Sequence, residues 1–281
     1  MSIMQSRVSV AMIVILASRI ATAQSQSHAQ LSPADLVKVV IHKEVGSSDT
    51  TEIRWKYLLV KEVDGRQETR EVVETKSGSL DRLVSMASRP LTEKQQHEEA
   101  DRIQRLSQDA EEQRKLEQTR QKDAEQCNRF LQMIPDAFGF EYGGESGGLT
   151  EIIFKPKPNF QPPSREGKVL HEMAGEIWVD AKQRRLVSIN GQLVNEVKFA
   201  GGLLGRLEKG GQFSVKRAEI APGQWELTEL AVNMHGRALL FKTISVQQKE
   251  VHQHFERVQD DLSMSDAAAL LLKQSLIAAK R

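Results

Sequence analysis

Cysteine is almost missing from this chain: Cys127 is the only one in 281 residues. An intrachain disulfide is therefore excluded, and stability must come from a hydrophobic core. Aromatic residues are scarce, at 5%. No apolar run approaches the roughly 20 residues a helix needs to cross a bilayer; the stretch Val8 to Ala17 has about half of that. Net charge is also lacking, with 39 basic against 38 acidic residues, so nothing attracts nucleic acid in general.

Catalytic signatures are missing as well. There is no G-x-S-x-G elbow, and Cys127 has no histidine near it in sequence. The glycines from Gly201 to Gly205 lack a G-K-[ST] ending and fall between strands, so they are no P-loop. His171-Glu172 lacks the second histidine of a zincin helix. His252 and His254, two apart on a predicted strand, point their rings to one face but make only half a metal site, with Glu250 or Glu256 as the third ligand. No metal, no cofactor and no enzymatic activity are expected.

What is present begins with an export pattern. Arg7 precedes the apolar stretch, and Ala21-Thr22-Ala23 follows it, the order of a secretory signal with cleavage after Ala23. With no cysteine at that point, no lipid anchor is expected. Residues 1–23 are thus read as a signal peptide, 24–31 as a flexible tether, and the protein as periplasmic in a Gram-negative envelope. Removal of Arg7 and Arg19 takes the 39 basic residues to 37, against 38 acidic.

Residues 32–262 read as one mainly β, α+β domain. Ser32-Pro33-Ala34-Asp35 opens a short apolar helix, which should dock on a sheet. A strand around Trp55, Tyr57 and Val63 turns at Asp64-Gly65 onto a partner from Thr69 to Thr75, and a third strand covers Leu80 to Met86. Thr92 and Gln95 form a capping box that opens a long charged helix over 92–134, stopped by Pro135. Its apolar residues are few: Ile103, Leu106, Leu116, then Phe130 and Leu131. Pro156, Pro158, Pro162 and Pro163 make 155–163 an extended connector.

Short two-faced strands follow at regular spacing: 176–180, 185–190, 192–199, 212–220, 225–234, 239–246 and 250–258. Turns at Pro222-Gly223 and His235-Gly236 separate the later ones. The pattern predicts one antiparallel meander bent into a half-barrel, with helices covering it. Residues 263–281 form a C-terminal helix capped by Ser263.

The segments from Gly175 to Asp180, Arg185 to Gly191, Pro222 to Trp225 and Leu239 to Lys242 resemble the LolA/LolB-type lipoprotein-sorting superfamily. The resemblance covers Glu52 to Val258. It implies an incomplete β-barrel whose concave side is closed by helices around an apolar cavity for acyl chains. The charged helix and the proline-rich connector depart from a dedicated carrier.

Two functions follow from these patterns. One is a carrier or sensor that binds a lipid or a lipoprotein acyl chain, lined by Trp55, Tyr57, Trp178, Phe213, Trp225 and Phe241, with Leu203, Leu204 and Leu207 as an apolar lip on a glycine-rich loop. The other is a non-enzymatic envelope interaction protein with a filled core, using the charged helix or the C-terminal helix to contact a partner. A cavity of several hundred Å³ favours the first, and a filled core beside an exposed apolar patch favours the second.

Overall fold

The computed structural model describes residues 31–47, 53–202, 204–238 and 242–278. The expected signal peptide, the tether up to residue 30, Leu203 and Phe241 lie outside the described residues.

Four strands come first: β1 (Arg54–Val63), β2 (Arg66–Thr75), β3 (Gly78–Met86) and β4 (Arg89–Pro90). Nine follow after a helical stretch: β5 (Phe138–Ser146), β6 (Leu149–Pro156), β7 (Met173–Asp180), β8 (Arg185–Leu193), β9 (Val197–Phe199), β10 (Gly205–Leu207), β11 (Gln212–Ala221), β12 (Gln224–Ala238) and β13 (Lys242–Val258). They form one curved, open antiparallel sheet in the order β4-β3-β2-β1-β13-β12-β11-β8-β7-β6-β5, with β10 pairing β12 and β9. It is not a simple meander, because β1 pairs with β13 and thereby joins the first strand to the last.

Local chemistry explains the hairpins. Asp64 and Gly65 both have positive φ (49° and 75°), as a type I′ turn between β1 and β2 requires. Between β11 and β12, Pro222 is followed by Gly223 at φ 75°, whose N–H donates to Glu219 Oε1; proline followed by a left-handed glycine is the preference of a type II turn. Gly175 and Gly191 face each other across β7 and β8, where neighbouring atoms leave no room for a side chain. A methyl on Gly175 would overlap the Asn190 carbonyl oxygen, and one on Gly191 would overlap the Phe213 ring.

The charged helix is two helices, not one: α2 (Glu93–Gln108) and α3 (Ala110–Ala137), preceded in the chain by α1 (Pro33–Ser47). The capping box at Thr92 and Gln95 is present. The break lies at Asp109, whose extended backbone and Oδ1, accepting from the Glu111 and Glu112 N–H groups, make it an N-cap in mid-segment. Pro135 does not stop α3 at once: the helix runs to Ala137, two residues past the proline.

Further departures concern strands. The expected strand 192–199 is interrupted between β8 and β9, and His235-Gly236 is no turn but lies inside β12. There a methyl on Gly236 would overlap the Arg206 carbonyl oxygen of β10, so glycine serves close strand approach rather than reversal. The described part of the expected strand 239–246, from Lys242 on, is continuous with 250–258 in one strand, β13. A short helix, α4 (Arg165–His171), follows the proline connector, capped by Ser164, which accepts from the Gly167 N–H.

Two cores flank the sheet. The first joins α1, the end of α3 and α4 to β5–β8, burying Val37, Val40, Ile134, Phe138, Leu170, Ile177 and Ile189. The second joins β2, β3, α2 and α5 (Met264–Ala278) through Val73, Leu80, Ile103, Ala267 and Leu271. The C-terminal helix therefore docks on its own domain, with Ser263 Oγ accepting from the Asp266 N–H. Cross-strand pairing links Ile177 to Ile189, Val215 and Leu230 on one face, called inner below. The alternation of side chains puts Val73 and Leu80 on the other.

Candidate binding cavity

The fully buried part of the first core ends at β8 and at Val197 of β9. Beyond it, Val215, Leu227, Leu230 and Val232 continue the inner face onto β11 and β12 but are only half-buried. Above them lies a cavity of about 1750 Å³. Its floor adds Leu186, Ile189 and Phe213; its roof is Phe130, Leu131 and Met133 of α3, with Phe160 and Pro163 of the connector at the side. The connector's prolines hold it extended.

One end of the cavity is ionic. Glu44 of α1 has a side chain only 2% exposed; it accepts from the Leu186 N–H at 3.1 Å, lies 3.6 Å from Arg185 and is in direct ion-pair contact with Arg217. Arg217 also donates to the Trp225 carbonyl, and burial pulls its pKa down. Glu74 and Glu226 stand nearby. Burial raises both carboxyls, and the Glu226 charge raises Glu74 further, while Arg217 and the Trp55 indole pull Glu226 back down. Trp55 bridges them, donating its backbone N–H to Glu74 at 3.0 Å and its indole Nε1–H to Glu226 at 3.2 Å. The cavity is thus apolar along its floor and roof and ionic at one end.

The aromatic residues expected to line a ligand are dispersed. Phe213 lies in the floor and Trp225 at the ionic end. Trp55 is buried behind that end, edge-on to Phe255 at 6.2 Å. Tyr57 stacks on His252 at 5.1 Å, and burial pushes its phenol pKa up. Trp178 alternates with Ile177 and falls on the outer face, where its Nε1–H donates to Glu176 at 3.3 Å. Leu204 is 48% exposed, while Leu207 of β10 is partly buried against the first core; neither lines the cavity. Leu227, Leu230 and Val232, together with the α3 residues, were not anticipated. The isolated Phe130-Leu131 pair in a charged helix was the available clue.

The regular strand expected around the two histidines is interrupted. The β1–β13 register shifts between Lys56 and Leu58, and His254 has φ 58°. His252 is half-buried on Tyr57 and His254 is exposed. Among the described residues, no group of three His, Cys, Asp or Glu is placed to hold a metal, and no helix is long and apolar enough to cross a membrane.

Near the histidines, Glu250 provides a pH-dependent contact. His252, 3.8 Å away, and then Lys61, at 2.9 Å, with Gln248 donating, hold its carboxyl at about 2. A depressed folded-state pKa contributes stability above the unfolded value near 4.5 and loses it as pH falls toward 2. Glu250→Gln is expected to cost about 1 kcal/mol at neutral pH, since partial exposure screens the pair. Urea titrations of both proteins should converge between pH 4.5 and 2; a difference that persists at the acidic end would refute the assignment.

No family model matches this sequence, and no curated protein does. Among solved structures, a crystal structure of a DUF1329 family protein from Desulfovibrio piger is similar to it, with a TM-score of 0.26 and 9% identity over 80% of this chain and 93% of that one.

Proposed function

We propose that this is an exported cell-envelope protein that binds the acyl chain of a lipid or lipoprotein in the cavity under α3, as carrier or sensor, without catalysing a reaction. The observation that carries the reading is the half-buried state of Val215, Leu227, Leu230 and Val232 in the middle of a sheet face, beneath about 1750 Å³ of space. Protein interiors are close-packed, so side chains of this kind are normally covered. Small-molecule sites run to roughly 300–1,000 Å³; this one has room for a long chain or for two. Each buried methylene contributes about 0.8 kcal/mol, which makes an acyl chain the natural occupant of an extended apolar trough. The resemblance to lipoprotein-sorting proteins and the export pattern of residues 1–23 point the same way.

The test is to export the full chain, purify it without detergent, extract it with organic solvent and identify by mass spectrometry what is released. A fatty acid or phospholipid in stoichiometric amount is expected, as is micromolar displacement of a fluorescent fatty-acid probe. Recovery of no lipid, together with no probe binding, would overturn the reading.

A further inference from the structure

We infer that the outer face of the sheet carries a second site, a groove that takes a neutral oligosaccharide chain. A depression of about 740 Å³ crosses β7, β8, β11, β12 and β13 and reaches Glu62 of β1. Small residues, Ala174 and Ala231, keep its floor low.

Along it, Gln192 stands opposite Gln212, Gln212 opposite Asn233, and Asn233 opposite Gln247. Four primary amides thus lie side by side on four neighbouring strands. Gln192, Gln212, Asn233 and Gln247 are all exposed, and among the described residues none of their side chains has a hydrogen-bond partner.

The next row is internally ordered. Ser214 Oγ donates to Asn190 Oδ1 at 2.7 Å, Asn190 Nδ2 donates to Glu176 Oε1 at 3.2 Å, and Trp178 Nε1 donates to the same oxygen at 3.3 Å. This network holds the Trp178 indole on the outer face of β7, outside the groove lining.

The chemistry of the amide row selects the ligand. A primary amide presents donors and an acceptor together, matching sugar hydroxyls, which also do both. Lys249 is the single cation in the lining, too little for a phosphate backbone. A peptide strand would add at a sheet edge through its main chain, whereas this groove runs across strands. With strands about 4.8 Å apart, the groove from β7 to β1 is about 24 Å long, the length of several linked sugar rings.

The test is titration of the full protein with two neutral hexasaccharides, cellohexaose and chitohexaose, by calorimetry and by NMR of the Asn and Gln side-chain amides. Saturable binding of at least one is expected, with shifts confined to the groove amides. Gln212→Ala with Asn233→Ala should weaken it at least tenfold; both sites are exposed, so the melting temperature should not move. No binding of either sugar at millimolar concentration, or binding that survives the double substitution unchanged, overturns the proposal. Val215→Glu, which alters only the cavity face, should leave sugar binding intact, so this reading and the lipid reading fail separately.

Discussion

Val215→Glu should weaken binding of a fluorescent fatty acid at least ~100-fold while changing folding stability by less than ~1 kcal/mol. Val215 lies between Ile189 and Leu230 in the cross-strand register and lines the cavity half-buried. In the empty cavity a carboxylate there keeps water around it and costs little. Covering it with an acyl chain strips that water or forces protonation, at a cost of several kcal/mol. Probe titration and urea denaturation on the same sample read both quantities. Unchanged probe affinity would place the chain elsewhere, and a stability loss above ~3 kcal/mol would mean that this position is packed core.

The largest stability effect should come from Glu44→Gln, which is expected to cost about 3 kcal/mol, the lower end of the range for breaking a buried ion pair. Glu44 is nearly inaccessible and faces both Arg185 and Arg217, whose side chains are 13% and 20% exposed. Glutamine keeps an acceptor for the Leu186 N–H but removes the carboxylate that Arg185 and Arg217 face. Adding Arg217→Met to Glu44→Gln should restore part of the loss, because one of the two positive charges goes with it. Urea unfolding at neutral pH checks both variants. A loss below ~1 kcal/mol for Glu44→Gln would show that water already solvates the cluster.

Much of this architecture was legible residue by residue. Ser32 and Thr92 mark helix starts because their hydroxyls compensate unpaired N–H groups, and Asp64-Gly65 and Pro222-Gly223 mark reversals because they tolerate the required backbone angles. The errors share one cause. Gly236 reads as a turn, yet it is glycine because β10 comes too close for a side chain. A glycine demanded by a neighbour far away in sequence looks the same as one demanded by local bending. Asp109 is similar: its carboxylate caps a new helix only because the chain bends there to cross the sheet.

The site was less legible than the fold. Strand alternation shows that Val215 shares a face with Phe213, and that Leu230 shares one with Val232, because the side-chain period is two. It does not say which face is covered, since cover is provided by elements remote in the chain. Only the three-dimensional arrangement runs α2 and α3 from the β4 edge to the β5 edge, so that Phe130, Leu131 and Met133 line the same cavity as Val215 and Leu230. The same arrangement sends Trp178 to the opposite face from Phe213 although both look alike as strand aromatics. The sequence alone determined the β-rich pattern, the turns at Asp64-Gly65 and Pro222-Gly223, the helix starts at Ser32 and Thr92 and the two-faced alternation, all consequences of backbone geometry within a few residues. Tertiary structure decided the β1–β13 pairing, the buried Glu44 cluster and the open cavity, because burial depends on what the rest of the chain places overhead.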